Sequence, residues 1–215
     1  MNASARSVRR CSSYACRVPR LITQTDFDTA RDRAHRGENL AIAETLRAWA
    51  IDTEHFALAE DVSRAAVLVE AGENFGYAGD HAEAFRLYEL AREDGGPSYV
   101  DPRALMVQAL YQGGRTDASL ELADALRKDS PQLVNTFLVL GGFFELVDEL
   151  KQAQRWYSMG IRAMDSGNVP GSESQYESML LGRARVRSEL GMPRDTLDDA
   201  AAIIIERYAA EHGDQ

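Results

Sequence analysis

No stretch of this chain stays apolar for eighteen residues, so nothing in it reads as a membrane-spanning helix. The richest run, Leu133 to Val147, is broken by Asn135, Gly141, Gly142 and Glu145 and reads as a buried helix. Lysine is nearly missing: Lys128 and Lys151 stand alone, and every other basic residue is arginine. With the high alanine content, this has the look of a high-GC, bacterial coding bias. Cysteine is limited to Cys11 and Cys16, in a basic stretch. A structural zinc site needs four ligands at set spacings, so the pair reads as free thiols and points to a reducing, cytoplasmic compartment. Long β-favouring stretches are few.

Catalytic signatures are missing too. The chain contains no H-E-x-x-H, no G-x-x-x-x-G-K-S/T, no G-x-S-x-G and no G-x-G-x-x-G. His35, His55, His81 and His212 are scattered, and His81 beside a helix turn reads as exposed. The carboxylates are dispersed; Asp94, Asp198 and Asp199 read as charges on solvated helix faces. The expectation is a non-catalytic protein with no metal and no cofactor.

Charge is uneven. Residues 1–20 hold Arg6, Arg9, Arg10, Arg17 and Arg20 and no acid. The remainder has 19 basic residues against 34 acidic ones, a charge near −15. Such a body repels nucleic acid and anionic membranes and favours basic or apolar protein partners. Residues 1–24 read as a disordered basic tail, and residues 25–210 as one helical domain.

A repeat organises that domain. Stepping 34 residues takes Gly79 to Gly113, Ala84 to Ala118, Tyr77 to Tyr111, Tyr88 to Leu122, Ala91 to Ala125 and Pro97 to Pro131. Leu68, Ala71, Gly72 and Phe75 form one helical stripe, and Ala84, Leu87, Tyr88 and Ala91 another. Gly79 and Asp80 between them stop one helix and cap the next. Units are expected at 63–97, 98–131 and 132–165. The third keeps Leu140, Gly141, Phe144, Ala153, Tyr157 and Gly160 after a one-residue insertion, with a blunter turn at Val147-Asp148. A degenerate unit precedes them, with a cap at Thr25-Asp26, a stop at Arg36-Gly37 and a following helix that starts near Asp52. A final helix pair follows the loop at 166–172, ending on the stripe Leu197, Ala200, Ile204 and Tyr208.

Gly72, Phe75, Ala84, Tyr88, Ala91 and Pro97 make this unit resemble the tetratricopeptide repeat (TPR). The segment Leu180 to Arg187, followed by Leu190-Gly191-Met192-Pro193, is similar to TPR-like proteins of actinobacteria. The resemblance implies an all-α solenoid of about four helix-turn-helix repeats in a right-handed superhelix. It implies a protein- or peptide-binding adaptor or scaffold, or a sensor module for a short signalling peptide. On the expected register the concave face carries Val69, Glu73 and Tyr77, then Arg103, Val107 and Tyr111, then Leu138, Gly142 and Leu146. Some TPR proteins hold chaperone-tail carboxylates with a Lys, Asn and Arg cluster there; Val69, Glu73 and Arg103 supply one base, so that activity does not carry over. Ile203, Ile204 and Ile205 spread over about 200° of the last helix at 100° per residue. Ile203 or Ile205 is therefore expected outside the buried stripe, either covered by the N-terminal tail or a preceding loop, or serving as a partner or self-association surface.

Overall fold

The computed structural model describes residues 18–34 and 39–212. The expectations for the tail to residue 17, for Cys11, Cys16 and His35, and for the stop at Arg36-Gly37 lie outside the described residues. Among the described residues are ten helices and one two-stranded sheet. The helices are α1 Gln24–Ala34, α2 Asn39–Ile51, α3 Arg64–Tyr77, α4 His81–Asp94, α5 Pro102–Gln112, α6 Thr116–Lys128, α7 Val134–Leu146, α8 Leu150–Asp165, α9 Glu173–Glu189 and α10 Thr196–His212. Each odd helix packs against the even helix that follows it, and α1, α3, α5, α7 and α9 form a continuous row. Even helices also pack onto the next odd one at α2–α3, α4–α5 and α8–α9, but α6 makes no comparable contact with α7. The fold is all-α, with one hydrophobic core running through it from Ile22 to Ile204.

Two expectations near the start are corrected. β1 Arg20–Ile22 pairs in parallel with β2 Phe56–Leu58, and Ile22 is fully buried. The folded body thus begins before residue 25, and the stretch after Asp52 is a strand and turn. Helix α3 starts only at Arg64, where the Ser63 side chain accepts from the Ala66 N–H. The cap of α1 lies at Thr23: its Oγ1 accepts from the Asp26 N–H at 3.3 Å, while Asp26 Oδ2 accepts from the Thr23 N–H at 3.0 Å.

The turns within the pairs fix the true register. After α3 the Asp80 N–H bonds back to the Phe75 carbonyl at 2.9 Å. After α5 the Arg115 N–H reaches Leu110, and after α7 the Glu149 N–H reaches Phe144, each at 2.8 Å. Each turn has one left-handed residue: Gly79 at φ 86°, Gly114 at 77° and Asp148 at 62°. These are equivalent six-to-one helix endings. The step is therefore 35 residues and then 34, the reverse of the expected order. Gly113, at φ −78°, is not the counterpart of Gly79. Nor is the third turn blunt, because Asp148 itself adopts the left-handed conformation.

This register exposes a size exchange at the helix crossings. Gly72 lies under the Tyr88 ring, where an added Cβ would sit 2.4 Å from Cε1. Gly141 lies under Tyr157 in the same way, at 2.5 Å. At the corresponding places in the middle pair stand Val107 and Ala123, a larger residue on the odd helix and a smaller one on the even. The ring of Tyr157 is also in close contact with Gly182 of α9, whose Cβ would fall 2.5 Å from Cζ.

Candidate functional site

The corrected step rewrites the face of the odd helices. The counterparts of Glu73 are Gln108 and Gly142, and those of Tyr77 are Gln112 and Leu146. Val69 and Val107 are both fully buried and do not face a groove. Val107 holds the helix-crossing position of Gly72, and its carbonyl accepts from the buried Ser119 hydroxyl at 2.8 Å. Tyr111 is half-buried, edge-on to Phe143 with ring centroids 5.5 Å apart. Leu138 is partly buried against the core. Arg103 stands in the first turn of α5, at the opposite end of that helix from Tyr111. It bonds Asp101 at 2.8 Å and Asp129 at 2.5 Å and lines an open cavity of about 560 Å³ among the loops there. The expected row of Arg103, Val107 and Tyr111 does not line one surface with Glu73 and Tyr77.

What does come together is a row at the C-terminal ends of α3, α5 and α7. Tyr77 is 75% exposed and Leu146 is 81% exposed, with Gln112 between them in the helix order. Glu73, Gln108 and Gln112 line a small cleft of about 70 Å³ beside Tyr77. Glu73 accepts a hydrogen bond from the Tyr99 hydroxyl. Burial first, and then the Glu73 charge, pushes the Tyr99 phenol well above its ordinary range, so it stays a donor. Glu70 is bound by Arg31 at 3.0 Å. Glu145 accepts from the Tyr157 hydroxyl at 2.8 Å and from Arg185. Burial works against the Glu145 charge, but the Arg185 and Tyr157 hydrogen bonds overcome it and keep its carboxyl below the usual range. This face offers a tyrosine, a leucine and two amides beside the carboxylates of Glu73 and Glu145.

His81 is half-buried rather than exposed, and its Nδ1 is sealed without a partner. Asp198 is not a solvated charge: it is 8% exposed and accepts from Arg183 at 2.9 Å and from Arg187 at 3.0 Å. Asp195 completes this network with Arg183, and its carboxylate caps the N–H groups of Leu197 and Asp198 at the start of α10. In the middle of α10, Ile203 is 68% and Ile205 57% exposed, while Ile204 is buried. Tyr208 lies outside the buried stripe, with its hydroxyl on Glu177 at 2.9 Å. Among the described residues no group of histidine, cysteine or acidic side chains could hold a metal ion, and no helix is long and apolar enough to cross a membrane. Comparison with protein-family models, with curated proteins and with solved structures gives no match.

Sequence reasoning missed Gln108, Gln112, Tyr99 and the Arg183–Asp198 network. The neighbouring glycines Gly113 and Gly114 were the available signal for the first two. They leave the turn residue ambiguous between the two, and only the left-handed conformation of Gly114 decides it.

Proposed function

We propose that the chain is a TPR-like α-solenoid of helix-turn-helix pairs in a right-handed superhelix. In this reading it is a non-catalytic, cytoplasmic scaffold that binds a peptide segment of another protein across its odd-helix face. The observation that supports this reading is the exposure of Tyr77 and Leu146 at equivalent ends of α3 and α7. Single exposed apolar residues are ordinary. Two at the same place in the repeat, flanking Gln112, are better suited to a repeating ligand. An extended peptide has alternate side chains for Tyr77 and Leu146 and backbone groups for Gln108 and Gln112. The carboxylates of Glu70, Glu73 and Glu145 disfavour an acidic peptide and favour a neutral or basic one.

A random-peptide display library panned against the full chain tests this. Enriched peptides should be rich in apolar and basic residues. Their binding should weaken at least about tenfold in Tyr77→Ser with Leu146→Ser, the loss of about 1.4 kcal/mol. Both residues are exposed, so helicity should not change. Failure to enrich any peptide class, or enrichment that survives in the double variant, would refute the proposed face.

A further inference from the structure

We infer that the even-helix side of the molecule carries a binding site for a phosphate monoester. A cavity of about 370 Å³ opens there beside α8. Arg155 and Arg162 line it from α8, Arg127 from the last turn of α6 and Arg183 from α9. Arg155 and Arg162 are seven residues apart and so share one helix face. Met159 and Leu197 supply an apolar wall, and no carboxylate is among the lining residues. In a chain of net charge −10, four guanidiniums around one cavity are out of keeping with their surroundings.

The pairing of these groups leaves a defined set of unused donors. Arg183 is matched by Asp195 and Asp198. Arg127 bonds Asp124 at 3.0 Å through one terminal nitrogen, while its Nε is buried with no acceptor. Arg155 and Arg162 pair with no acid among the described residues. Ser158 lies between them on α8. Its Oγ accepts from Gln154 Nε2 at 3.0 Å and from Arg183 Nε at 3.1 Å. Both lone pairs are then taken, and the O–H is left to donate. The cavity thus presents two unmatched positive charges, one orphaned N–H and one free hydroxyl donor.

That set calls for an anion. A carboxylate has two oxygens and is satisfied by a single bidentate arginine. Donors spread over α6 and α8 suit a tetrahedral group with three charged oxygens and about two negative charges. The cavity is larger than a phosphate ion, which leaves room for an organic remainder.

Titration calorimetry of inorganic phosphate into the full chain, at constant ionic strength in chloride, is the first test. A saturable single-site isotherm is expected, weakened about tenfold or more in Arg155→Gln with Arg162→Gln, because charge-assisted hydrogen bonds are the strong ones. Arg194→Gln should leave it unchanged, since Arg194 is exposed and pairs with Asp199 outside this cavity. If the double variant loses helicity, Arg162→Gln alone gives the same comparison. Free serine phosphate and a phosphoserine peptide separate the two sources of the group. Tighter binding of the first assigns a small metabolite, and tighter binding of the second assigns a modified side chain. Absence of saturable phosphate binding, or binding indifferent to the α8 arginines, overturns the inference.

Discussion

Gly141 and Gly142 are neighbours in the middle of α7, and the same substitution should have opposite effects at the two positions. Replacing a glycine by alanine inside a helix gains about 0.8–1 kcal/mol, because the unfolded chain loses freedom it would otherwise keep. Both variants share that gain. At Gly142 a new Cβ meets only the Tyr157 hydroxyl at 3.7 Å, an ordinary contact. Gly142→Ala should therefore be more stable than the natural chain by up to about 1 kcal/mol. At Gly141 the Cβ would stand 2.5 Å from Cε1 and 2.6 Å from Cδ1 of Tyr157. The ring is packed against Gly182 of α9 as well, at Cζ, Cε2 and the hydroxyl, which limits how far it can shift. Overpacking of this kind costs about 1–3 kcal/mol. Gly141→Ala should thus lie about 1–3 kcal/mol below Gly142→Ala, and in a chain of this length each kcal/mol is about 2–4 °C in Tm. Urea and thermal unfolding followed by circular dichroism measure both. The gap should close in a Tyr157→Leu background, as a double-mutant cycle requires if the ring is its cause. Equal stability of the two alanine variants would refute the clamp.

Two further expectations concern the last helix pair. Asp198→Ala removes one of the two carboxylates shared by the buried Arg183 and Arg187, leaving Asp195, and should cost about 1.5–3 kcal/mol. The hydrogen bond from Arg183 holds the Asp195 carboxyl well below its ordinary range. A depressed carboxylate contributes fully above its unfolded value near 3.9, and that contribution is lost as pH falls below it. The urea midpoint should therefore fall on acidification below about pH 4, and Asp195→Asn should flatten that fall. On α10, Ile203→Glu with Ile205→Glu should move the midpoint by no more than about 0.5 kcal/mol per site. Ile204→Ala should cost about 2 kcal/mol or more. A large loss in the double glutamate variant would show that these two side chains are covered.

The helices were legible because their signals are local. Ser63, Asp80, Gly95 and Pro102 cap or open helices by their own chemistry, and the stripes around Leu68 and Leu87 repeat at helical spacing. The register of the middle pair was not legible. Matching identical letters aligned Gly79 with Gly113 and Tyr77 with Tyr111, yet backbone conformation, not identity, defines equivalence. Gly114 takes the left-handed turn, and every assignment between Arg103 and Ala125 slips by one. A slip of one residue rotates a helix by 100°, which is why Val107 moved from the supposed groove to the core. The β1–β2 pair left no signal because three-residue strands have no measurable period. Arg183 and Asp198 are polar by composition and buried by tertiary structure, so reading Asp198 as solvated was the natural error. On the candidate face, Glu73 and Tyr77 came from the clear repeat, whereas Gln108 and Gln112 required the backbone hydrogen bonds.

The thin junction between α6 and α7 divides the molecule mechanically. On one side α2 to α6 are joined through broad helix faces, and on the other α7, α8 and α9 are pinned together by one tyrosine ring. Across the seam the links are narrow: the Tyr111–Phe143 edge, the Thr136 hydroxyl on the Asp101 N–H and the Asn135 amide on the Tyr99 carbonyl. The sparsest packing between neighbouring pairs therefore lies at this junction, with Tyr77 on one side of it and Leu146 on the other, so the span between those two side chains rests on these few links.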